Sequence, residues 1–537
     1  MKKTENFKIN IFSYFFIIIF FVLISFFGSI YQLILHYDGH HHGLIYSMSE
    51  DFLSGKLPYK DFFVHYGFLN ILINSFFLKI FEMSLLGLYF VSALSYSAAI
   101  LMLALFAKKY TNHLYACLLT VSLFLIHPFV FLPWPDYQFF FFIALSIYLL
   151  SIDNKLSFFT SGIFLSFGIL EKEFLILIYL FVFLSVISIY FFLKFKKLIY
   201  FKSSFYEYFF VGFIIPILFF ILYLYINNLI PFYLKHLELP SIISGMGDVN
   251  PIIYTLNAFI DLINTSIIKI FFEPYWFFFV LIIFTNVFFL TKEVFLRKKK
   301  ISYQDFLLII VSVFSIGLFL TAVVRMGVFK LATGTAVGIV IIFYLVSRIK
   351  SLDTRYILNT LIILYLVLGF EFGRSPTNRI YPNYQTKFKN NSNTIKFLKG
   401  KKITKSEWEQ LLLFKSKIDE IKKNCSDIKF GTNLTNDNFY TILMKKNFQI
   451  VNFIPWYTES YAFFPKLFEI FDPNYFKNFE YLSNQEKLLI AVGDNLDIKN
   501  IINEDTYVLS DEINYISHGH NSIQIFLPKN CKISIGG

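Results

Sequence analysis

Long uninterrupted apolar runs constrain this chain more than any other feature. They recur from Ile11 to Phe372, each roughly 17–25 residues long, which is the length that carries a helix across a bilayer core. In lipid only helices or closed barrels satisfy their backbone groups. The runs are continuous rather than alternating, so helices are expected. The 537 residues are accordingly 56% hydrophobic, with a mean hydropathy of +0.60. The 73 Phe and 35 Tyr, with plentiful Ile, Lys and Asn, are what A/T-rich codons supply, and they carry no functional weight. The net charge of +12 does not imply nucleic acid as a partner. Lys and Arg cluster in short loops between the runs, which is the signature of cytoplasmic loops in a membrane protein.

Lys2 and Lys3 precede the first run, Ile11–Leu35. That run is too long for a signal-peptide core and no small-x-small cleavage site follows it, so an uncleaved span with a cytoplasmic N-terminus is expected. Further spans are expected over Leu85–Ala107, Leu114–Leu132, Phe139–Ile152, Phe158–Leu170, Phe174–Leu193 and Phe205–Ile226. One more ends near Leu290, followed by Phe306–Val324, Leu331–Val346 and Tyr356–Phe372, with Gly67–Phe81 as a juxtamembrane or re-entrant helix. This gives an all-α polytopic protein of about eleven spans by the ~20-residue criterion. The loops so assigned to the cytoplasm carry Lys or Arg with few acids, and the acidic clusters fall on the other side. A span gained or lost midway would invert that pattern. The transmembrane domain is expected over 1–374. Residues 375–537 turn polar and form a small extracytoplasmic α/β domain, with a helix over Ser406–Asn424 and strands near Asp427–Gly431, Lys487–Gly493 and Ile523–Leu527. Cys117 lies in an apolar run, whereas Cys425 and Cys531 lie in the tail, either as a disulfide or as two free thiols.

The polar stretch His36–Asn70 stands out from this oil, with five of the ten histidines (His36, His40, His41, His42, His65) and Asp38, Glu50, Asp51 and Asp61. It reads as the first outward-facing loop. Asp38, just beyond the first span, could accept a proton from an attacking hydroxyl. It could also bind a divalent cation with His40; a solvated charge that merely stops the helix is the alternative. Adjacent imidazoles point in different directions, so His40, His41 and His42 cannot all share one site. Asp61 reads as a turn or cap residue or as part of the site. Asp136 is a helix cap or a second acid. Glu171-Lys172-Glu173 interrupts an apolar stretch as an outer turn; charges at membrane depth are costly unless they face water or a partner. Arg325 and Lys330 flank another outer turn and suit a lipid phosphate, with Arg able to bind it bidentately, or act as snorkelling anchors. No P-loop, GxGxxG, GxSxG or HExxH is present, so an ATP-driven transporter or a serine hydrolase has no support.

Three blocks carry a resemblance: Tyr37-Asp38-Gly39-His40, Gly55-Lys56-Leu57-Pro58-Tyr59-Lys60-Asp61-Phe62 and His65-Tyr66-Gly67. Together with the many spans and the polar tail they resemble the GT-C superfamily of integral-membrane glycosyltransferases. The second and third blocks are similar to the G-x-x-P-Y-x-D-F…H-x-x-P-L run of bacterial members related to protein O-mannosyltransferases and lipid A aminoarabinose transferases. The resemblance is strongest over Ile11–Leu105 and architectural beyond. Gly39 stands where many members have a second acid, and Phe68 where Pro is usual; both departures bear on acceptor class and metal dependence. The resemblance implies a sugar donor on polyprenyl phosphate at the outer face of a bacterial plasma membrane, and a lipid, glycan or protein acceptor. Asp38 would be the base, and inversion at the anomeric carbon would follow. The departing phosphate would be stabilised by Arg325, Lys330 or Lys172. Asp136 would match a second loop acid, with His40, His41, Asp61 and His65 on the substrate side. No cofactor is implied beyond a divalent cation. A lipid-linked saccharide flippase and a polysaccharide polymerase or ligase are the competing classes.

Overall fold

The computed structural model describes residues 11–36, 38–62, 64–173, 176–199, 204–237, 260, 274–323, 333–372, 387–389, 395–425, 429–432, 438–445, 488–493, 507–517, 520–529 and 531. The first run forms helix α1, Ile11–Leu35, with the expected bounds. The His-rich stretch is not a plain loop: Gly39–Leu53 is a helix, α2. Asp38 caps it with extended backbone (φ −151°) and accepts the His41 N–H at 2.8 Å. Gly55, at φ +87°, takes the left-handed conformation that ends it. Then follow α3 (Phe68–Ile80), α4 (Leu86–Tyr110), α5 (His113–Ile126), α6 (Pro135–Leu150), α7 (Lys155–Glu171), α8 (Ile176–Phe195), α9 (Ser204–Ile226) and the short α10 (Ile230–Leu237).

Prolines shift two expected boundaries. α5 stops at Ile126 rather than Leu132, because Pro128 disfavours helical backbone at the residue before it. α6 starts at Pro135 rather than Phe139, since proline's fixed φ suits the first helical position. Beyond the gap come α11 (Pro274–Thr291), α12 (Tyr303–Val323), α13 (Ile339–Ser347) and α14 (Leu352–Phe372).

Among the described residues five helices are long and apolar enough to cross a membrane: Phe12–Leu35, Leu86–Tyr110, Ile178–Phe195, Tyr206–Ile226 and Phe278–Leu296. Shorter apolar helices, among them His113–Ile126 and Pro135–Leu150, pack between them. The long helices turn large apolar side chains outward: Phe16 is 69% exposed, Phe191 61% and Phe219 68%. A belt of that kind is at ease only in hydrocarbon; the protein is a polytopic membrane protein. The tightest crossing is α7 on α9. A Cβ on Gly162 would collide with the Phe209 carbonyl, and one on Gly212 with that of Phe159. Small residues let membrane helices approach this closely.

The alternating chain brings one set of helix ends together: the end of α1, the starts of α4 and α6, and the ends of α5 and α7. We call this the Asp38 end. The tail docks there. Phe397 O accepts the Leu85 N–H at 3.0 Å, and Ser84 Oγ donates to Lys399 O at 2.8 Å. Lys401, fully buried, gives its ammonium to the carbonyls of Leu33 (3.0 Å) and His36 (2.5 Å). A cation there satisfies carbonyls that the end of α1 leaves open.

Beyond a short hairpin of β1 (Lys387–Lys389) and β2 (Lys402–Thr404), the tail carries the amphipathic helix α15, Lys405–Asn424, and α16, Asn438–Lys445. Among the described residues its sheet has four strands: β3 (Lys429–Thr432), β4 (Leu488–Gly493), β5 (Tyr507–Ser517) and β6 (His520–Pro528). Their order is β3-β4-β6-β5; β3 and β4 run parallel, the other pairs antiparallel. Of the two sequence alternatives for Cys425 and Cys531, the structure has the disulfide.

Candidate active site at the Asp38 end

Asp38 is buried, 7% exposed, at the junction of α1 and α2. Both carboxylate oxygens face His41: Oδ1 accepts its backbone N–H at 2.8 Å, and Oδ2 lies 2.7 Å from its Nδ1. Burial alone would raise the carboxyl. The hydrogen bond and charge of His41 outweigh burial and hold Asp38 well below the usual carboxylate range. His42 points the other way, as adjacent helical residues must. Its Nδ1 meets Tyr89 Oη at 2.8 Å, and Lys401 Nζ sits 5.1 Å from the Tyr89 ring centre. Burial, and then the Lys401 charge, hold His42 well below its ordinary value, so it stays neutral. The side-chain partner of Asp38 is therefore His41, which is the more exposed member of the pair (side chains 26% against 9%).

Aromatic contacts link this pair to the start of α6. The His41 ring lies 4.6 Å from the Trp134 ring, and Trp134 lies 5.7 Å from Tyr66, which in turn packs on His65 at 4.3 Å. Two residues past Trp134, Asp136 is buried, and its Oδ1 takes the Lys172 ammonium at 2.6 Å. Its Oδ2 has no hydrogen-bond partner among the described residues. The start of α6 thus carries Trp134 against the Asp–His pair and, two residues on, the acid of an Asp–Lys pair. Lys172 is not an open cation; a phosphate would have to win it from Asp136.

The other expected residues fall as follows. His65 is buried, its N–H 3.4 Å from Met48 Sδ. Asp61 is exposed and closes a turn, accepting the Leu57 N–H at 2.8 Å. His40 lies on α2, but its side chain is outside the described set, as are Arg325 and Lys330. Among the described residues no three His, Cys, Asp or Glu side chains converge to hold a metal ion. Each Asp38 oxygen already accepts one hydrogen bond from His41 and keeps a second lone pair.

The turn after α7, expected as an outer turn, is buried and its two acids are held by protein partners. Glu171 and Glu173 are both buried. Asn70 Nδ2 donates to Glu171 Oε1 at 2.6 Å. Glu173 accepts Tyr59 Oη–H at 2.8 and 2.9 Å and the Phe68 N–H at 2.9 Å, so it caps α3. Burial pushes the Glu173 carboxyl up to about 8, although Phe68 and Tyr59 pull it down; burial also pushes His236, at 3.7 Å, down to about 3. Both are then neutral near pH 7, and this contact is not an ion pair. Gly67 is required here, since any Cβ would strike the carbonyls of Leu170 and Glu171. The Pro58-Tyr59 and His65-Tyr66-Gly67 blocks thus wrap the turn after α7. The available signal was the cost of two acids inside an apolar stretch.

These features define a polytopic membrane fold of packed helices with a small α/β tail docked at one end. The chain is similar to the crystal structure of ArnT from Cupriavidus metallidurans bound to undecaprenyl phosphate, with TM-score 0.50 and 10% identity over 98% of this chain and 99% of that one. It is also similar to the archaeal oligosaccharyltransferase AglB from Archaeoglobus fulgidus in complex with an inhibitory peptide and a dolichol-phosphate (TM-score 0.44, 11% identity, 90% of this chain and 69% of that one). No family model matches the sequence, and no curated protein matches it.

Proposed function

We infer that the protein transfers a sugar from a polyprenyl-phosphate donor to a hydroxyl-bearing acceptor. The observation that carries this is the placement of two buried ion-pairing acids at one end of the helix bundle: Asp38 with His41, whose ring contacts Trp134, and Asp136, two residues past Trp134, with Lys172. Asp38 is ionised and fixed. With His41 Nδ1–H directed at Oδ2, the imidazole presents Nε2 as proton acceptor. Asp38 and His41 together draw the proton from the acceptor hydroxyl as its oxygen attacks the anomeric carbon. The glycosyl C–O bond to phosphate breaks on the opposite side, so configuration inverts. Lys172 exchanges Asp136 for the departing phosphate and neutralises its charge; Arg325 and Lys330 are further candidates for that role. The ArnT structure, bound to undecaprenyl phosphate, supports the donor class. An apolar cavity of about 250 Å³ between α6, α7, α8, α9 and α12, lined by Ile143, Leu165, Phe183, Phe209 and Phe314, suits a length of hydrocarbon chain.

The Asp38 end faces outward in this reading, in a bacterial plasma membrane with the N-terminus in the cytoplasm. Lys108, Lys109, Lys155, Lys194, Lys196, Lys197 and Arg297–Lys300 lie at the opposite helix ends, as the positive-inside rule requires. The Cys425–Cys531 disulfide suits an oxidising exterior. The test is transfer by membranes containing the protein, supplied with radiolabelled polyprenyl-phosphate sugars. Label should move to an acceptor with inverted anomeric configuration. Label that only changes leaflet, still on its lipid, would make the protein a flippase instead.

A further inference from the structure

The ends of α3, α6 and α7 hold a polar cluster that the transfer chemistry above leaves unused. Asn70 and Asn74 stand one turn apart on α3, Gln138 lies in the first turn of α6, and Glu171 ends α7. All four are at most 1% exposed. Two hydrogen bonds join them: Asn70 Nδ2 to Glu171 Oε1 at 2.6 Å, and Gln138 Nε2 to Asn74 Oδ1 at 3.3 Å. Each side chain keeps a buried polar atom with no partner among the described residues: Asn70 Oδ1, Asn74 Nδ2, Gln138 Oε1 and Glu171 Oε2. Asp136 Oδ2, beside Gln138 in the same first turn, is a fifth.

A buried polar atom without a partner costs free energy that an apolar side chain of the same shape would not. Five at three adjacent helix ends are better explained by a ligand than by packing. The tally also specifies the ligand. Three of the five are acceptor oxygens; Asn74 Nδ2 is a donor, and so is the Glu171 carboxyl, which burial pushes up to about 8 and keeps protonated, so the complement is a group that both donates and accepts, as hydroxyls do. A phosphate offers acceptors and negative charge, which Asp136 opposes; a prenyl chain offers neither donor nor acceptor. A sugar ring offers several hydroxyls in fixed directions. We propose that Asn70, Asn74, Gln138 and Glu171 form the subsite that selects the sugar of the lipid-linked donor. Lys172 follows Glu171 directly, so a phosphate on Lys172 would deliver the attached ring to this cluster. The proposal rests on the donor class inferred above, and the alternative filler of the same hydrogen-bonding chemistry is ordered water.

The test uses the purified full chain in detergent and reads thermal stabilisation by undecaprenyl phosphate, bare or carrying glucose, galactose, mannose or arabinose. The wild type should bind at least one loaded lipid about tenfold more tightly than the bare one. The double variant Asn74→Leu/Gln138→Leu removes both ends of one hydrogen bond and so strands neither partner. It should bind bare lipid phosphate as the wild type does and lose the tenfold preference. If the double variant does not fold, Gln138→Met carries the same comparison. A wild type that does not distinguish loaded from bare lipid, or a variant that keeps the preference, overturns the subsite and leaves the cluster to water. Transfer assayed on the same samples separates the two readings: sugar-selective binding without transfer to any acceptor would sink the transferase and keep the subsite.

Discussion

Two acid-bearing corners share one end of this molecule and are built differently. In one, Asp38 is buried but bonded to a partly exposed imidazole, and it stays ionised. In the other, Glu173 is enclosed by Tyr59, Phe68 and His236, and burial pushes its carboxyl up to about 8. In the proposed function the same functional group is a reagent in the first corner and a strut in the second. What separates them is whether the second layer around the acid is a titratable ring with access to solvent or closed protein. An acid in an apolar stretch is no sufficient mark of chemistry; its partners decide.

Changes at the joint between the corners should have the largest effect. Lys172→Met should lower transfer roughly a hundredfold, the scale of losing one charge stabiliser at a leaving group. It also strands Asp136, so the comparison is Lys172→Met/Asp136→Asn, which should recover stability but not transfer. Recovery of both would mean the pair is structural. In the strut corner, Glu173→Ala leaves the Tyr59 hydroxyl and the Phe68 N–H without their acceptor and should cost about 2–4 kcal/mol of stability, read by thermal unfolding in detergent.

Glu173 also makes a pH prediction. Its folded-state value, about 8, is above its ordinary 4.5, so the folded protein holds a proton that the unfolded chain releases. That contribution to stability is complete below about pH 4.5 and is lost as pH rises toward 8. Burial pushes Glu171 up to about 8 as well, so the melting temperature should fall across that window through both acids, and Glu173→Gln should make the fall shallower without abolishing it. An unchanged slope would mean another group sets it. The smallest effect is expected at Asp61: Asp61→Ala removes one exposed turn bond and should cost about 1 kcal/mol. A loss of transfer beyond that destabilisation would place Asp61 in the site.

Sequence periodicity located most helices because an apolar run in lipid has no alternative to helix. α1 has the bounds its run predicts, and α15 begins within a residue of expectation. α2 was hidden because its polarity reads as loop, although Asp38 three residues before His41 is a capping signal once helix is considered. β5 was missed because Asp511 and Glu512 break its apolar pattern, where the structure has a register shift between Leu509 and Asp511. In the site, Asp38, His41, Asp136 and Lys172 were identifiable as residues, but their pairing was not. Asp136 and Lys172 are 36 positions apart, Tyr59 and Glu173 114, and Lys401 and His36 365. Contacts of that reach are set by the packing of whole helices, which no local pattern records.

The account rests on Asp38, and the most direct measurement is the rate of sugar transfer by Asp38→Asn against wild type, in matched amounts of protein with equal melting temperature. Asn can still cap α2, so fold and chemistry separate. The account predicts a fall of roughly 10²–10⁴-fold, the range for losing a positioned acid–base group. Transfer at the wild-type rate would contradict it and move the reactive centre elsewhere in the molecule.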